Sequence, residues 1–279
     1  MLELLANKWT MMNAGRGPIV IAPMKLGYRM KVDLRERSER IAYYTGLYES
    51  HLIDAARHWL SDECATVLDV GANVGFWTVP LAQAARVIAF EPVPNNAARL
   101  RENLALNHVS ASTVDVGLSD QEGSAEIRTR QDVIDGSGTG NAAIVTPGWD
   151  DDEPSMTIQL RALDELDLDI HRIDLIKVDI EGHEDHFFAG ARRTVERHRP
   201  VIFAEWNSEY YRHRGVDPTT SVASAFDGLD YQVLRNTEAG WAVIDGFKSP
   251  LVIDDLVLVP RERSAEMTDV LAAANRRWL

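Results

Sequence analysis

The stretch VLDVGANVGFWTVPLA, residues 67–82, decides the fold class of this chain. It begins as an apolar strand that contains an acid, continues through two glycines four residues apart, and ends in a helical pattern. A strand, a glycine turn and a helix in this order bring bare backbone against a nucleotide-like ligand. The stretch therefore predicts a ligand site at the carboxyl end of a strand.

Short apolar strands alternate with helices from Thr66 to Trp206. After the first strand come RVIAFEP (86–92), IDLIKVDI (173–180) and VIFAEW (201–206), with helical patterns between them. Apolar strands that alternate with helices predict an α/β fold, a largely parallel sheet covered on both faces. SAEIRT (124–129) predicts an antiparallel excursion, and three later runs, YQVLRN, WAVID and DLVLVP, predict closing strands.

The same pass along the chain predicts its domain organisation. Residues 1–60 form an N-terminal hairpin and helix cap, residues 61–260 the main domain, and residues 261–279 a C-terminal helix. The apolar stripe of that last helix packs either on the core or on a second copy of the chain, so a homodimer is one expectation. Residues 131–155 are rich in Gly, Asp, Ser and Pro, and we expect either a mobile lid that contributes to the acceptor site or a disordered connection.

Composition limits the partners. The 279 residues are 45% hydrophobic and carry a formal net charge of −14, which disfavours nucleic acid and acidic membrane surfaces. Cys64 is the only cysteine, so an internal disulfide is excluded, and no apolar run is long enough for a transmembrane segment. We expect a cytoplasmic protein with a small-molecule partner.

The glycine turn discriminates between nucleotide-like ligands. A dinucleotide turn has a glycine where this chain has Asn73, and a phosphate loop has a Gly-Lys-Ser/Thr sequence that is absent here. Asp69 at the strand end would repel phosphate but suits a cationic amino-acid group. Glu91 follows about 20 residues later, at the tip of the next strand, where a carboxylate can accept both ribose hydroxyls. This combination predicts S-adenosylmethionine as the cofactor.

At these residues the sequence resembles the FkbM-type family of S-adenosylmethionine-dependent methyltransferases. The resemblance runs from YES (48–50) through VLDVGANVG, AFEPVPNNAARLRENLALN, GLSDQEGSAEI and IDLIKVDIEGHEDHFFAGA to PVIFAEW, roughly residues 46–206. It implies a Rossmann-like seven-strand class I methyltransferase sheet, here with N-terminal hairpin and helix additions. It also implies methylation of a hydroxyl oxygen on sugars or on polyketide or lipid-linked alcohols.

The resemblance also assigns cofactor-binding residues. Those that match the family's cofactor motif are Asp69, Gly71, Asn73, Gly75 and Glu91. Glu49 matches an acid that precedes the first motif, and Asp115 lies where related folds contact adenine. After EGHE this chain has Asp185 and His186 where family members usually carry aliphatic residues.

The segment KVDIEGHE (177–184) is the candidate catalytic centre. It lies at the carboxyl end of a predicted central strand, where open parallel sheets bind ligands. An alcohol needs help to lose its proton, so Asp179, Glu181 and His183 are the candidate catalytic residues, with His183 as a general base suited to neutral pH. The next strand ends in Glu205 and Asn207, which with Asp179 form a candidate set of hard oxygen ligands for Mg²⁺.

These residues favour a small-molecule O-methyltransferase that acts on a sugar, a glycoside or another biosynthetic intermediate such as a polyketide or lipid-linked alcohol. Methylation of nucleic acid is disfavoured by the net charge and by the absence of an Asn/Asp-Pro-Pro-aromatic motif. The sequence also leaves open a non-catalytic binding protein that retains the fold, and a dehydrogenase. Failure to bind S-adenosylmethionine would favour the binding protein, and binding of NAD would favour the dehydrogenase.

Overall fold

The computed structural model describes residues 19–60, 62, 64–129, 142–144, 155–246 and 253–278. The strands, in chain order β1 to β14, are Ile19–Pro23, Arg29–Asp33, Thr66–Val70, Arg86–Phe90, Ser112–Val114, Gly117–Ser119, Gly123–Thr129, Ala142–Ile144, Ser155–Ala162, Leu175–Val178, Val201–Asn207, Tyr231–Thr237, Gly240–Ile244 and Ile253–Pro260. The helices, α1 to α9, are Arg37–Thr45, Ser50–Trp59, Thr78–Leu81, Pro94–Leu106, Glu184–Gly190, Arg192–His198, Ser208–His213, Pro218–Phe226 and Ser264–Trp278.

The central sheet confirms the predicted α/β fold. Within the described residues it has the strand order β13-β12-β14-β11-β10-β3-β4-β5. The strands from β11 to β5 are parallel, whereas β14, β12 and β13 are antiparallel to their neighbours. Every residue of β3 and β10 is buried, as expected for central strands with helices on both faces.

The sheet has eight strands among the described residues, whereas the family resemblance implied seven. The additional strand is β13, which pairs only with β12 through a hairpin and so lies at the edge. The three predicted closing strands are β12, β13 and β14. The eighth strand extends the edge without changing the order of the parallel strands.

A second, four-stranded sheet lies beside the first, in the order β6-β9-β7-β8. The apolar segment STVDVGLSD, residues 112–120, is divided between β5 of the central sheet and β6 of the second sheet. The predicted antiparallel excursion is β7, which pairs with β9. This second sheet forms a wall of the cavity described below.

The described parts of the terminal segments contain a hairpin and helices at the N-terminal side and a helix at the C-terminal side. Strands β1 and β2 pair as an antiparallel hairpin and contact α1. In α9 the apolar stripe is buried within the chain, where Met267, Leu271 and Ala274 join the cluster that contains residues of α2. Arg277 and Trp278 both donate to the carboxylate of Asp54 in α2. The stripe is thus covered without a second copy of the chain.

Two sequence expectations lie wholly or largely outside the described residues. The first is the part of the predicted N-terminal addition that falls in residues 1–18. The second concerns the loop 131–155, of which only 142–144 and Ser155 are described. None of the helices in the described ranges is long and apolar enough to span a bilayer.

Candidate functional site

A cavity of about 320 Å³ lies at the carboxyl ends of β3, β4, β10 and β11. This edge of a parallel sheet is the usual place for a ligand in open α/β folds. The second sheet closes one side with an apolar wall made of Ile127, Ile144, Ile158 and Leu160. The remaining lining is mixed apolar and polar and contains most of the predicted site residues.

The glycine turn after β3 forms one wall. Gly71 has φ +80°, and a Cβ there would lie 1.9 Å from the carbonyl oxygen of Asp179, so a side chain cannot be placed at this position. Asn73 also has a positive φ of 49°, which asparagine tolerates better than most residues. The turn therefore packs the carboxyl end of β3 against the carboxyl end of β10.

Asp69 and Glu91 lie at the ends of neighbouring strands and both line this cavity. Asp69 accepts a 2.5 Å hydrogen bond from Thr78 Oγ1. Glu91 accepts the backbone N–H groups of Asn73, at 2.8 Å, and Val93, at 2.9 Å. Burial raises the pKa of Asp69 to about 6 and that of Glu91 to about 7. Both carboxyl groups are thus oriented by local donors but cost free energy when they ionise in the apo protein.

Glu49 reaches the same cavity from the N-terminal region. It has φ 40° in the residue before α2, and its carboxylate accepts the indole N–H of Trp77 at 2.7 Å. The ammonium group of Lys177 lies 3.8 Å from the same carboxylate and 5.1 Å from the centre of the Trp77 ring. These three side chains form a fixed unit at the centre of the site.

Asp115 is placed elsewhere. Its side chain is exposed and forms an ion pair with Arg101 of α4, and it does not line the described cavity. The residues from the same segment that do line the cavity are Val116, Gly117 and Leu118. The backbone after β5 therefore faces the site with apolar groups, while the Asp115 carboxylate points to solvent.

Three carboxylates meet near the carboxyl ends of β10 and β11. One oxygen each from Asp179, Glu181 and Glu205 lies within 4.8 Å of the others. Glu181 adopts φ 52° in the turn after β10. The charge of Asp179, together with burial, raises the pKa of Glu205, so the two groups do not both ionise readily.

Asn207, at the end of β11, is not among the residues that line the described cavity. Its side-chain oxygen accepts the N–H of Glu209 at 3.2 Å and caps α7. The carboxylate cluster contains two of the three predicted metal ligands, Asp179 and Glu205, together with Glu181, whereas the Asn207 side-chain oxygen is used as a helix cap. The physical reason is that the N-terminus of a helix has unpaired N–H groups, for which an asparagine is a preferred partner.

His183 lines the cavity beside the carboxylates, immediately before α5. Burial, together with the nearby His186 and Arg214, lowers its pKa to about 3. The ring is therefore neutral at pH 7 and has a free lone pair, but it is a weaker base than the sequence suggested. The expectation of a near-neutral pKa is corrected by burial, which disfavours the imidazolium ion.

The turn that positions Glu181 and His183 is held by a buried acid. Glu184 accepts the N–H of Gly182 at 3.1 Å and the hydroxyl of Tyr211 at 2.7 Å. Glu184 is thus a structural residue that fixes the shape of the turn. Asp185 forms an ion pair with Arg214 at 2.8 Å, also outside the cavity.

Sequence reasoning missed several residues of the cavity. Tyr48, Trp77 and Lys177 line it without having been assigned a role. Lys177 had a usable signal, because a lysine inside the apolar strand LIKV is seldom buried unless it is paired with an acid. Trp77 had no such signal, since an aromatic residue after a glycine turn is equally expected in a core.

Comparisons with known proteins identify similar methyltransferases. The family model for the methyltransferase FkbM domain matches residues 69–239. The hexuronic acid methyltransferase AglP of Haloferax volcanii is 30% identical over 160 residues, which cover 57% of this chain and 60% of that protein. The 2-O-methyltransferase NoeI of Sinorhizobium fredii is 28% identical over 163 residues, covering 51% of this chain and 63% of that protein. The chain therefore matches about three fifths of the length of each of these two relatives.

Among solved structures, a methyltransferase FkbM from Methylobacillus flagellatus aligns with a TM-score of 0.43 and 21% identity. The alignment covers 71% of this chain and 44% of that one.

Proposed function

Because the chain belongs to the FkbM methyltransferase family, we propose that it transfers a methyl group from S-adenosylmethionine to a hydroxyl oxygen of a small, sugar-like molecule. The observation that carries the proposal is that one cavity is lined by the glycine turn and Glu91 together with Asp179 and His183. The printed names of two relatives, a hexuronic acid methyltransferase and a 2-O-methyltransferase, support a sugar-like acceptor.

The charges of the cavity fit this cofactor better than a dinucleotide. Lys177 is the only lysine or arginine among the described residues that line it. The acids that line it are Glu39, Glu49, Asp69, Glu91, Asp179, Glu181 and Glu205. A pyrophosphate would be repelled by this set, whereas a sulfonium and an ammonium group would be attracted. The volume of about 320 Å³ lies within the range for small-molecule sites.

The donor and acceptor groups indicate how the cofactor would be held. Glu91 would accept the ribose hydroxyls, because its oxygens are already directed by the turn. Glu49 and Asp69 would face the amino-acid end, where their charges match an ammonium group. The apolar wall of the second sheet offers a surface for a flat base.

S-adenosylmethionine supplies an electrophilic methyl group on a sulfonium. The residues of the chain position the acceptor and accept its proton. The polar end of the cavity positions the acceptor oxygen, and positioning provides a large part of the rate in such a displacement. The acceptor hydroxyl becomes strongly acidic as its oxygen gains a new bond to carbon. A neutral His183, although a weak base, is therefore sufficient to take the proton at that point.

The proposal includes a divalent cation such as Mg²⁺ at Asp179, Glu181 and Glu205. Hard oxygen ligands at this spacing suit such an ion, and a cation would relieve the repulsion that keeps Glu205 protonated. Bound there, the ion would supply Lewis acidity toward an acceptor hydroxyl. Asn207 is not needed for this set.

The test has two stages. The first is calorimetric titration with S-adenosylhomocysteine, with and without Mg²⁺, and we expect one site per chain. The second is incubation with S-adenosylmethionine and a panel of monosaccharides and glycosides, with mass detection of methylated products. Absence of cofactor binding would overturn the proposal, and binding without turnover of any sugar would overturn only the acceptor class.

A further inference from the structure

A row of hydrogen bonds connects His183, inside the cavity, to a pair of side chains at the surface. Ser119 Oγ lies 3.0 Å from His183 Nε2 and 2.9 Å from Asp120 Oδ1. The same Asp120 oxygen lies 3.2 Å from His186 Nδ1. Ser119 is buried, whereas the side chains of Asp120 and His186 are each 39% exposed.

The approach of the two segments depends on a glycine. Ser119 ends β6 and His183 precedes α5, 64 residues later in the chain. Gly190 lies in α5, and a Cβ there would come within 2.0 Å of the carbonyl oxygen of Ser119. Only glycine allows helix and strand to pack this closely. The contact is therefore built into the packing of α5 on β6.

The direction of each hydrogen bond follows from the number of protons. The hydroxyl of Ser119 has one proton, which it donates to Asp120. Although partial burial opposes it, the Ser119 hydrogen bond and the nearby His186 lower the pKa of Asp120, so it is an ionised acceptor at neutral pH. Ser119 Oγ can then only accept from His183, whose Nε2 must carry the hydrogen. The lone pair of the neutral ring is left on Nδ1.

One further contact restricts the plane of the His183 ring. The His183 and His186 rings stack with their centres 4.4 Å apart and their planes 14° from parallel. The His183 side chain makes no capping hydrogen bond to α5, so Nδ1 is not used by the helix that follows. His183 thus lines the cavity in one orientation and in one tautomer.

We infer that Ser119 and Asp120 are positioning residues that hold His183 in the tautomer with Nδ1 unprotonated, and that His186 fixes the ring plane, so that Nδ1 is presented to the acceptor hydroxyl. This inference rests on the proposed function, because it takes the acceptor to bind at the His183 end of the cavity. Neither Ser119 nor Asp120 lines the described cavity, so both act through His183.

The tautomer is tested first, by NMR of the full chain with ¹⁵N-labelled histidine and S-adenosylhomocysteine present. The wild type should show His183, assigned from H183Q, with hydrogen on Nε2. S119A should show a mixture or the other tautomer. A wild-type ring with hydrogen on Nδ1 would overturn the inference. This measurement needs no turnover, so it tests the inference even if no acceptor in the panel is methylated.

Kinetics provide the second test. S119A should lower kcat about tenfold and leave KM for S-adenosylmethionine unchanged. D120N should retain more activity than S119A, since an asparagine oxygen still accepts from Ser119. S264A removes a buried serine hydroxyl far from the site and should behave as wild type. Equal kcat in S119A and wild type, with an unchanged His183 spectrum, would contradict the inference. If S119A does not fold, D120A takes its place, because alanine removes the acceptor of the Ser119 proton. An unchanged kcat and an unchanged His183 spectrum in D120A would contradict the inference equally.

Discussion

The indole N–H of Trp77 donates a 2.7 Å hydrogen bond to the carboxylate of Glu49. The two residues lie 28 positions apart, one after the glycine turn and the other just before α2. The contact joins the N-terminal addition to the cofactor end of the cavity. The N-terminal helix region is therefore part of the site and not only a cover for the core.

Removal of this hydrogen bond should weaken cofactor binding. W77F keeps an aromatic ring but leaves Glu49 without its donor, so we expect the Kd for S-adenosylhomocysteine to rise about tenfold. Calorimetry measures this. W59F is the matched control, because Trp59 is a buried tryptophan outside the cavity. Equal affinities of W77F and wild type would mean that Glu49 does not contact the cofactor.

Substitutions of Glu91 and Asp115 should differ in their effect on cofactor affinity. E91Q loses an acceptor for one of two backbone N–H groups and the charge at the ribose position, so its affinity for S-adenosylhomocysteine should fall at least about tenfold. D115N should bind like wild type, because the Asp115 side chain is exposed and paired with Arg101. Calorimetric titration of both variants decides between them. A large loss in D115N alone would restore the assignment made from the sequence.

Cofactor affinity should rise with pH between about 5.5 and 8. Burial raises the pKa of Glu91 to about 7 and that of Asp69 to about 6, so both carboxylates form only across this range. Their charged forms are the ones that attract an ammonium group and accept hydroxyls. The Kd for S-adenosylhomocysteine, measured by calorimetry at several pH values, should decrease accordingly, and less steeply in E91Q.

The raised pKa values of Asp69 and Glu91 should also affect the stability of the cofactor-free protein. Their contribution to stability should fall as pH rises, whereas cofactor affinity increases. Their pKa values are higher in the folded chain than the ordinary values of 3.8 and 4.5, so the folded chain binds protons more tightly. The resulting stabilisation is complete below about pH 4 and is lost as pH rises through about 7. The difference in Tm between E91Q and wild type should therefore shift in favour of E91Q as pH rises. A constant difference would show that Glu91 is not a raised, buried acid.

The cation site distinguishes Glu181 from Asn207. E181Q should weaken Mg²⁺ binding at least about tenfold, since a charged ligand of the cluster is lost. N207S should retain it, because serine can also cap α7. Calorimetry with MgCl₂ and loss of turnover on addition of EDTA are the measurements. The reverse ranking would favour the ligand set predicted from the sequence, and an absence of any Mg²⁺ effect would remove the metal from the proposal.

The charge of the cavity should also select among acceptors. Seven acids and one lysine line it, so an acceptor with its own carboxylate meets like charge. We expect a neutral glycoside to have a kcat/KM at least about tenfold higher than the matching glucuronide, since one such repulsion costs on the order of 1 kcal/mol or more. The glycoside and the glucuronide have the same stereochemistry, so they differ only in the carboxylate. Preference for the glucuronide would require a cationic group beyond the described lining.

Much of the fold and the cofactor end followed from local sequence. Alternation of apolar strands and helices specified the parallel sheet, and the turn from Asp69 to Gly75 specified where a ligand meets it. These features are local because φ preferences, strand burial and turn glycines act over a few residues. Only the edge strand β13 and the division of residues 112–120 between two sheets required long-range pairing.

The acceptor end was decided by tertiary structure. Asn207 lies at the predicted strand end, yet its side chain caps a helix, while Glu181 turns toward Asp179 because the tight turn places it there. Burial, and after it His186 and Arg214, lower the pKa of His183. Its Nε2 lies 3.0 Å from Oγ of Ser119, which is 64 residues earlier in the chain. The sequence by itself determined which backbone turn lines the cavity, because the shape of the turn is set by neighbours along the chain. The charge and proton positions of the acceptor site were decided only by packing, because burial and Coulomb interactions depend on distance in space.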